Sequence, residues 1–163
     1  KVAKTKVRSI RNPAADFIDS LYWLTKKPAE PTMEAFYQAV AEGAEFGFPS
    51  VAFKAAAVSA GFRTGVTKNK TIPNSAFHIN GDMVRIYGTP EIREDMVRVG
   101  MGAADLRYRG EFKEWSVILP IRFNMAVFTH EQIINLFNLG GFACGIGEWR
   151  PERGGSFGMY HVV

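Results

Sequence analysis

Between residues 115 and 146 the hydrophobic period changes twice, and that change limits the folds open to the chain. WSVILPIRF sets Trp115, Val117, Leu119, Ile121 and Phe123 against Ser116, Ile118, Pro120 and Arg122, the period-two pattern of a strand with one buried face. Pro120 lacks a ladder donor, so this strand belongs at an edge or carries a bulge. Thr129 and Gln132 then form a capping box for a helix over 130–139,. Gly140-Gly141 reads as its stop, and the apolar runs 142–146 and 159–163 read as two closing strands,. Strand, helix, strand at this spacing is a split βαβ unit.

The rest of the chain extends the pattern. Pro13, capped by Asn12, opens a predicted helix to Leu24, and LTKKPAEPT reads as a linker,. Thr32 caps a second helix to Gly43 that buries Met33, Phe36, Tyr37 and Val40,. Ser50 is the expected N-cap of a third, ending at Gly61, with Lys54 in its first turn and alanines suited to packing on a sheet,. FRTGVTKNKTIPNS lacks a period and reads as a loop,. AFHI-NG-DMVRIY predicts a hairpin closed by Asn-Gly,. TPEIREDMVRVG reads as one charged helical turn, and DLRYRGEF as a strand with Leu106, Tyr108 and Phe112 on one face,. The expectation is an α+β fold, a ferredoxin-like sandwich with an antiparallel sheet and a helical N-terminal insertion. That fold begins with a central strand, for which KVAKTKVRSI, of weak alternation, is the only candidate before the first helix. Residues 1–46 are then a basic segment with the insertion, and 47–163 the core.

With 163 residues, 47% of them hydrophobic, the chain suits a globular domain and holds no apolar run near the roughly 20 residues of a membrane span,. The basic start KVAKTKVRSIR has no apolar stretch of the signal-peptide kind,. A lone Cys144 in an apolar run excludes an internal disulfide framework and fits a reducing, cytoplasmic setting,. His78, His130 and His161 show no ligand-like pairing, so neither a metal nor another cofactor is expected,. Phosphate-loop and dinucleotide glycine spacings are absent, and no nucleophile and base are paired, so no catalytic residue is assigned,.

Charge points elsewhere. The net charge is +4, and no acid occurs between Phe46 and Gly81, where Lys54, Arg63, Lys68 and Lys70 lie. Lys1, Lys4, Lys6, Arg8 and Arg11 crowd the start. Arg107 and Arg109 share a strand face, and Arg122 is expected on the neighbouring strand. Three guanidiniums so placed need either an anion or pairing with Asp105, Glu111 or Glu114. The segment GEWRPERGGSFG adds Arg150 and Arg153, with Trp149 and Phe157 as stacking rings or, for Trp149, a core anchor,. Basic groups interleaved with rings and glycines point to single-stranded DNA or RNA.

The segment FNMAVFTHEQIINLFNLGGFACGIGEWRPERGGSFGMYHV resembles the last helix and glycine-rich loop of the repeat-associated mysterious protein (RAMP) superfamily, most nearly the backbone subunits of CRISPR effector complexes. FGFPSVAFKAAAVSAGF resembles that group's segment after its first strand. LYW, the GFP-x-x-AFK-x-A helix, REDMVRVGMG, RGEFKEWS and the GEWRP…FG ending are together similar to a family of uncharacterised tailed-phage proteins. The resemblance implies an RRM-like core that holds a nucleic-acid strand, with Lys54 and residues 150–158 as backbone contacts. It also implies a first strand ahead of Lys1, missing from this chain or supplied by another protomer. The expected function is that of a phage-encoded, non-enzymatic protein of the host cytoplasm that binds single-stranded nucleic acid and assembles along it as a homo-oligomer. Residues 62–70 would act as a thumb. A self-assembling filament or shell, and an RNA-processing endoribonuclease, are the alternatives.

Overall fold

The computed structural model describes residues 11–163. The basic cluster Lys1, Lys4, Lys6 and Arg8 and the strand considered for KVAKTKVRSI lie outside the described residues. The elements run α1 (Pro13–Ser20), α2 (Met33–Ala41), β1 (Phe46–Pro49), α3 (Ser50–Arg63), α4 (Thr71–Ala76), β2 (Phe77–Ile79), β3 (Met83–Tyr87), β4 (Glu91–Val99), β5 (Ala103–Glu111), β6 (Ser116–Val117), β7 (Ile121–Phe123) and α5 (His130–Leu139). The fold is mixed α+β. Its strands form small sheets, β1-β3-β6, β2-β7 and β4-β5, rather than one.

The described chain divides into two compact units, one of residues 11–47 and 85–117, the other of 48–84 and 118–163. The first crossing lies one residue beyond the expected boundary, and two more crossings make both units discontinuous.

In the first unit the caps read from sequence are present. Asn12 accepts the Ala15 amide at 3.3 Å, and Thr32 accepts that of Ala35 at 3.2 Å,. α1 stops at Ser20, short of Leu24, because the Trp23 indole donates to the Ile18 carbonyl at 2.9 Å and takes an acceptor at the helix end,. Trp23 then packs on Phe46 with ring centroids 4.8 Å apart and the rings tilted by 59°. Phe17, Ile18, Phe36 and Phe46 form the core, with Leu21, Met33 and Phe112 against it. REDMVRVG is no helical turn. It is β4, paired antiparallel with β5 from Glu91 opposite Glu111 to Val99 opposite Ala103. Its period of two was masked because both faces carry charges. Gly100 and Gly102, with φ of +66° and +108°, close the ribbon,. α1 seats on β5 at Gly110, where any Cβ would overlap Leu21.

In the second unit α3 packs chiefly on α5 and the turn after it, so its alanines face helix rather than sheet. Phe53, Ala57, Phe77, Leu136, Phe137 and Cys144 are buried here. The capping box of Thr129 and Gln132 is formed in both directions. The glycine pair does not stop the helix. The chain continues into a π-helical turn, Gly140–Cys144, in place of a strand, and residues 159–163 form no strand either. Gly140 brings its backbone so close to α3 that a Cβ would lie 2.9 Å from the Ala57 nitrogen, and a Cβ on Gly141 would overlap the Tyr160 carbonyl. These glycines permit close packing, a role the sequence shares with a helix stop.

Two further expectations change. β2 and β3 flank Asn80-Gly81 but do not pair with each other: β2 pairs with β7, and β3 with β6. The start of α3 takes the carbonyls of that turn. The Ser50 hydroxyl donates to Gly81 and Asp82, at 2.6 and 3.1 Å, and the Ser50 amide to Asp82 at 2.9 Å. Ser50 is therefore a donor to the turn, and Pro49 holds the cap position without a side-chain bond. WSVILPIRF splits at Pro120 into β6 and β7, and the last five residues of FRTGVTKNKTIPNS open α4,.

A candidate nucleic-acid interface

The second unit brings together Lys54, His78 and Arg122. Because α3 begins at Ser50 itself, Lys54 is its fifth residue and opens the second turn rather than lying in the first, and its ammonium donates to the Asn74 carbonyl at 2.7 Å,. The same Nζ lies 3.1 Å from His78 Nδ1 and 5.6 Å from the centre of the Phe77 ring. An ammonium offers only donors, so Nδ1 accepts and the ring proton sits on Nε2. Strand alternation sends Phe77 into the core and His78 outward,. Register then sets His78 directly opposite Arg122 of β7.

Beside this pair is a shallow, open depression lined by Ser75, Ala76, His78, Arg122, Phe123 and Asn124. No carboxylate lines it, and among the described residues neither Lys54 nor Arg122 has a carboxylate within 4.0 Å. Two cations flanking one imidazole repel, and an anion beside them relieves that repulsion,.

Lys68 and Lys70 are exposed and likewise unpaired among the described residues. Lys70 rests its ammonium 5.6 Å from the Phe62 ring centre, at the start of α4. It stands four residues ahead of Asn74, about 6 Å along a helix axis at 1.5 Å per residue.

Arg63 and Arg150 are committed differently. The Arg63 guanidinium lies 3.3 Å from Glu152 Oε1 and donates to the Ser59 hydroxyl at 3.2 Å. Arg150 Nε lies 3.1 Å from Glu152 Oε2, and its Nη1 donates to the Gly147 carbonyl at 3.0 Å. Burial pushes the Glu152 carboxyl upward. The hydrogen bond and charge of Arg150, the charge of Arg63 and the Ser59 hydroxyl outweigh that, so the group lies below its ordinary value,. These two arginines tie the loop after α5 to α3.

The loop itself closes by backbone bonds, Gly155 to the Arg150 carbonyl at 3.1 Å and Phe157 to the Trp149 carbonyl at 3.0 Å. Trp149 is 60% exposed and has φ of +50°, which costs a non-glycine residue roughly 1–2 kcal/mol,. Phe157 and Arg153 are exposed, and Arg153 has no carboxylate within 4.0 Å among the described residues.

Arg107 and Arg109 belong to the first unit and do not adjoin Arg122 on a neighbouring strand. They share a face of β5 that neutralises itself. Arg107 lies 3.8 Å from Asp105, Arg109 lies 4.0 Å from Asp95, and Asp95 also takes Arg93 at 2.8 Å. Arg11 joins through Asp105 at 2.7 Å.

In the sequence His78 stands only as a histidine without ligand-like pairing, and neither Asn74 nor Asn124 is singled out. The alternation of FHI already points His78 away from Phe77. The long-range partner β7, which completes the cluster, left no local signal.

Among the described residues no helix is long and apolar enough to cross a membrane, and no three of His, Cys, Asp and Glu gather as a metal set. Comparison with protein-family models, with curated proteins and with solved structures gives no match.

Proposed function

We propose that the chain binds single-stranded nucleic acid, with the second unit taking the phosphate backbone. One observation carries this reading: Lys54, His78 and Arg122 converge beside an open depression without a carboxylate among its lining residues. Lys68, Lys70 and Arg153 extend the phosphate contacts, while Arg63 and Arg150 hold the loop through Glu152 and do not face a strand. Binding without catalysis, cooperative assembly of copies along the strand and a ferredoxin-like RAMP kinship of phage origin are parts of the same proposal. The last two lean on the order of motifs in the sequence.

A labelled single-stranded oligonucleotide titrated at two salt concentrations tests it. Lys54→Ala with Arg122→Ala should weaken binding uniformly across sequences and reduce the salt slope by about 1.4, the release expected for two phosphates on a single strand. No binding of DNA or RNA at low salt removes the reading.

The Lys54 to His78 contact also favours a second reading, RNA cleavage, since it fixes the tautomer of an exposed imidazole beside a guanidinium,. Cleavage of structured RNA by the wild type and its loss in His78→Ala would establish that activity. Intact RNA after prolonged incubation with the wild type would dismiss it.

A further inference from the structure

We infer that Trp149 is a preset platform for one unpaired nucleobase, a step that rests on the nucleic-acid reading above. Among the described residues Trp149 is the non-glycine residue with positive φ, at +50°. A bulky side chain holds that conformation only where its surroundings over-determine it. Here they do. The Trp149 carbonyl accepts the Phe157 amide at 3.0 Å, and Gly155 lies so near that a Cβ there would overlap the same carbonyl. Gly158 stands equally close to Ile146, whose amide it accepts at 3.0 Å. Arg150 fixes both flanks, donating to the Gly147 carbonyl and pairing with Glu152.

All this rigidity serves an indole that is 60% exposed. Burial therefore does not explain the arrangement. A flat ring carried on a fixed stretch of backbone and largely open to solvent, in a loop with the exposed cation Arg153 and the exposed ring Phe157, suits a flat aromatic partner attached to an anion,. An unpaired base on its phosphate has that chemistry. A paired base has both faces covered by its neighbours, so the platform selects single strands.

The test compares a single-stranded oligonucleotide with an abasic strand of equal length, which keeps the phosphates and lacks the rings. The variants are Trp149→Gly and Trp149→Tyr. Glycine adopts φ of +50° without strain, so Trp149→Gly should melt at or above the wild-type temperature. It should narrow the preference for the base-bearing strand by about five- to 150-fold, the range one stacked base commands, and leave abasic affinity unchanged. Trp149→Tyr should keep most of the preference. A preference intact in Trp149→Gly, or a wild type that binds both strands equally, overturns the platform while leaving phosphate binding in place. A lower melting temperature or failure to fold in Trp149→Gly assigns the ring to the fold and overturns it too. A wild type that binds neither strand at low salt removes the nucleic-acid reading and the platform with it.

Discussion

Glu152 shows how one carboxylate can redirect two arginines. Read along the chain, Arg63 and Arg150 are candidate phosphate ligands. In the fold both turn to Glu152, with the Ser59 hydroxyl completing the set. Because the folded carboxyl lies below its ordinary value, it stabilises the fold above the unfolded carboxylate range, near 4.3, and that contribution is lost as pH falls through the folded value,. Glu152→Gln should cost about 0.2–1 kcal/mol at neutral pH, as expected of a half-exposed ion-pair set. It should also melt with a flatter acid limb than the wild type. Thermal melts from pH 7 to pH 2 check both, and parallel acid limbs would contradict the assignment. The pairing with Arg150 is two residues away, but nothing local in PERGG announces Arg63, which is 89 residues distant.

At the scale of elements, what was legible follows local chemistry. The caps at Asn12, Thr32 and Thr129 and the course of α2 and α5 rest on side chains within four residues of their targets. What was not legible depends on partners distant in sequence. The Asn80-Gly81 turn lost its hairpin to Ser50, β4 hid its period behind charges on both faces, and Gly140-Gly141 served close packing instead of a stop. The α3–α5 contact gives a clean test of the resulting core. Leu136 is 1% exposed and lies against Gly61. Leu136→Ala should destabilise by about 2–5 kcal/mol in urea unfolding, against near zero for the exposed Asn135→Ala,.

At the scale of the molecule, the two units divide the charges unequally in kind. Arg93, Arg107 and Arg109 of the first unit's ribbon have carboxylates within 4.0 Å, while among the described residues Lys54 and Arg122 have none. Arg107→Gln with Arg109→Gln should therefore leave oligonucleotide affinity and its salt slope within about two-fold of wild type, since carboxylates already lie beside both guanidiniums,. A loss comparable to that of the Lys54 and Arg122 pair would shift the interface to the first unit. The candidate site was half legible for the same reason. Counting cations finds Lys54 and Arg122, but only the pairing of β2 with β7 sets His78 between them and sends Arg107 and Arg109 elsewhere.

Cys144, the chain's one sulfhydryl, is 0% exposed in the π-helical turn beneath the closing segment. Alkylating reagents can then reach it only when that turn opens, so the labelling rate in native buffer becomes a built-in clock for the motion of the segment around Tyr160 that packs on the turn,.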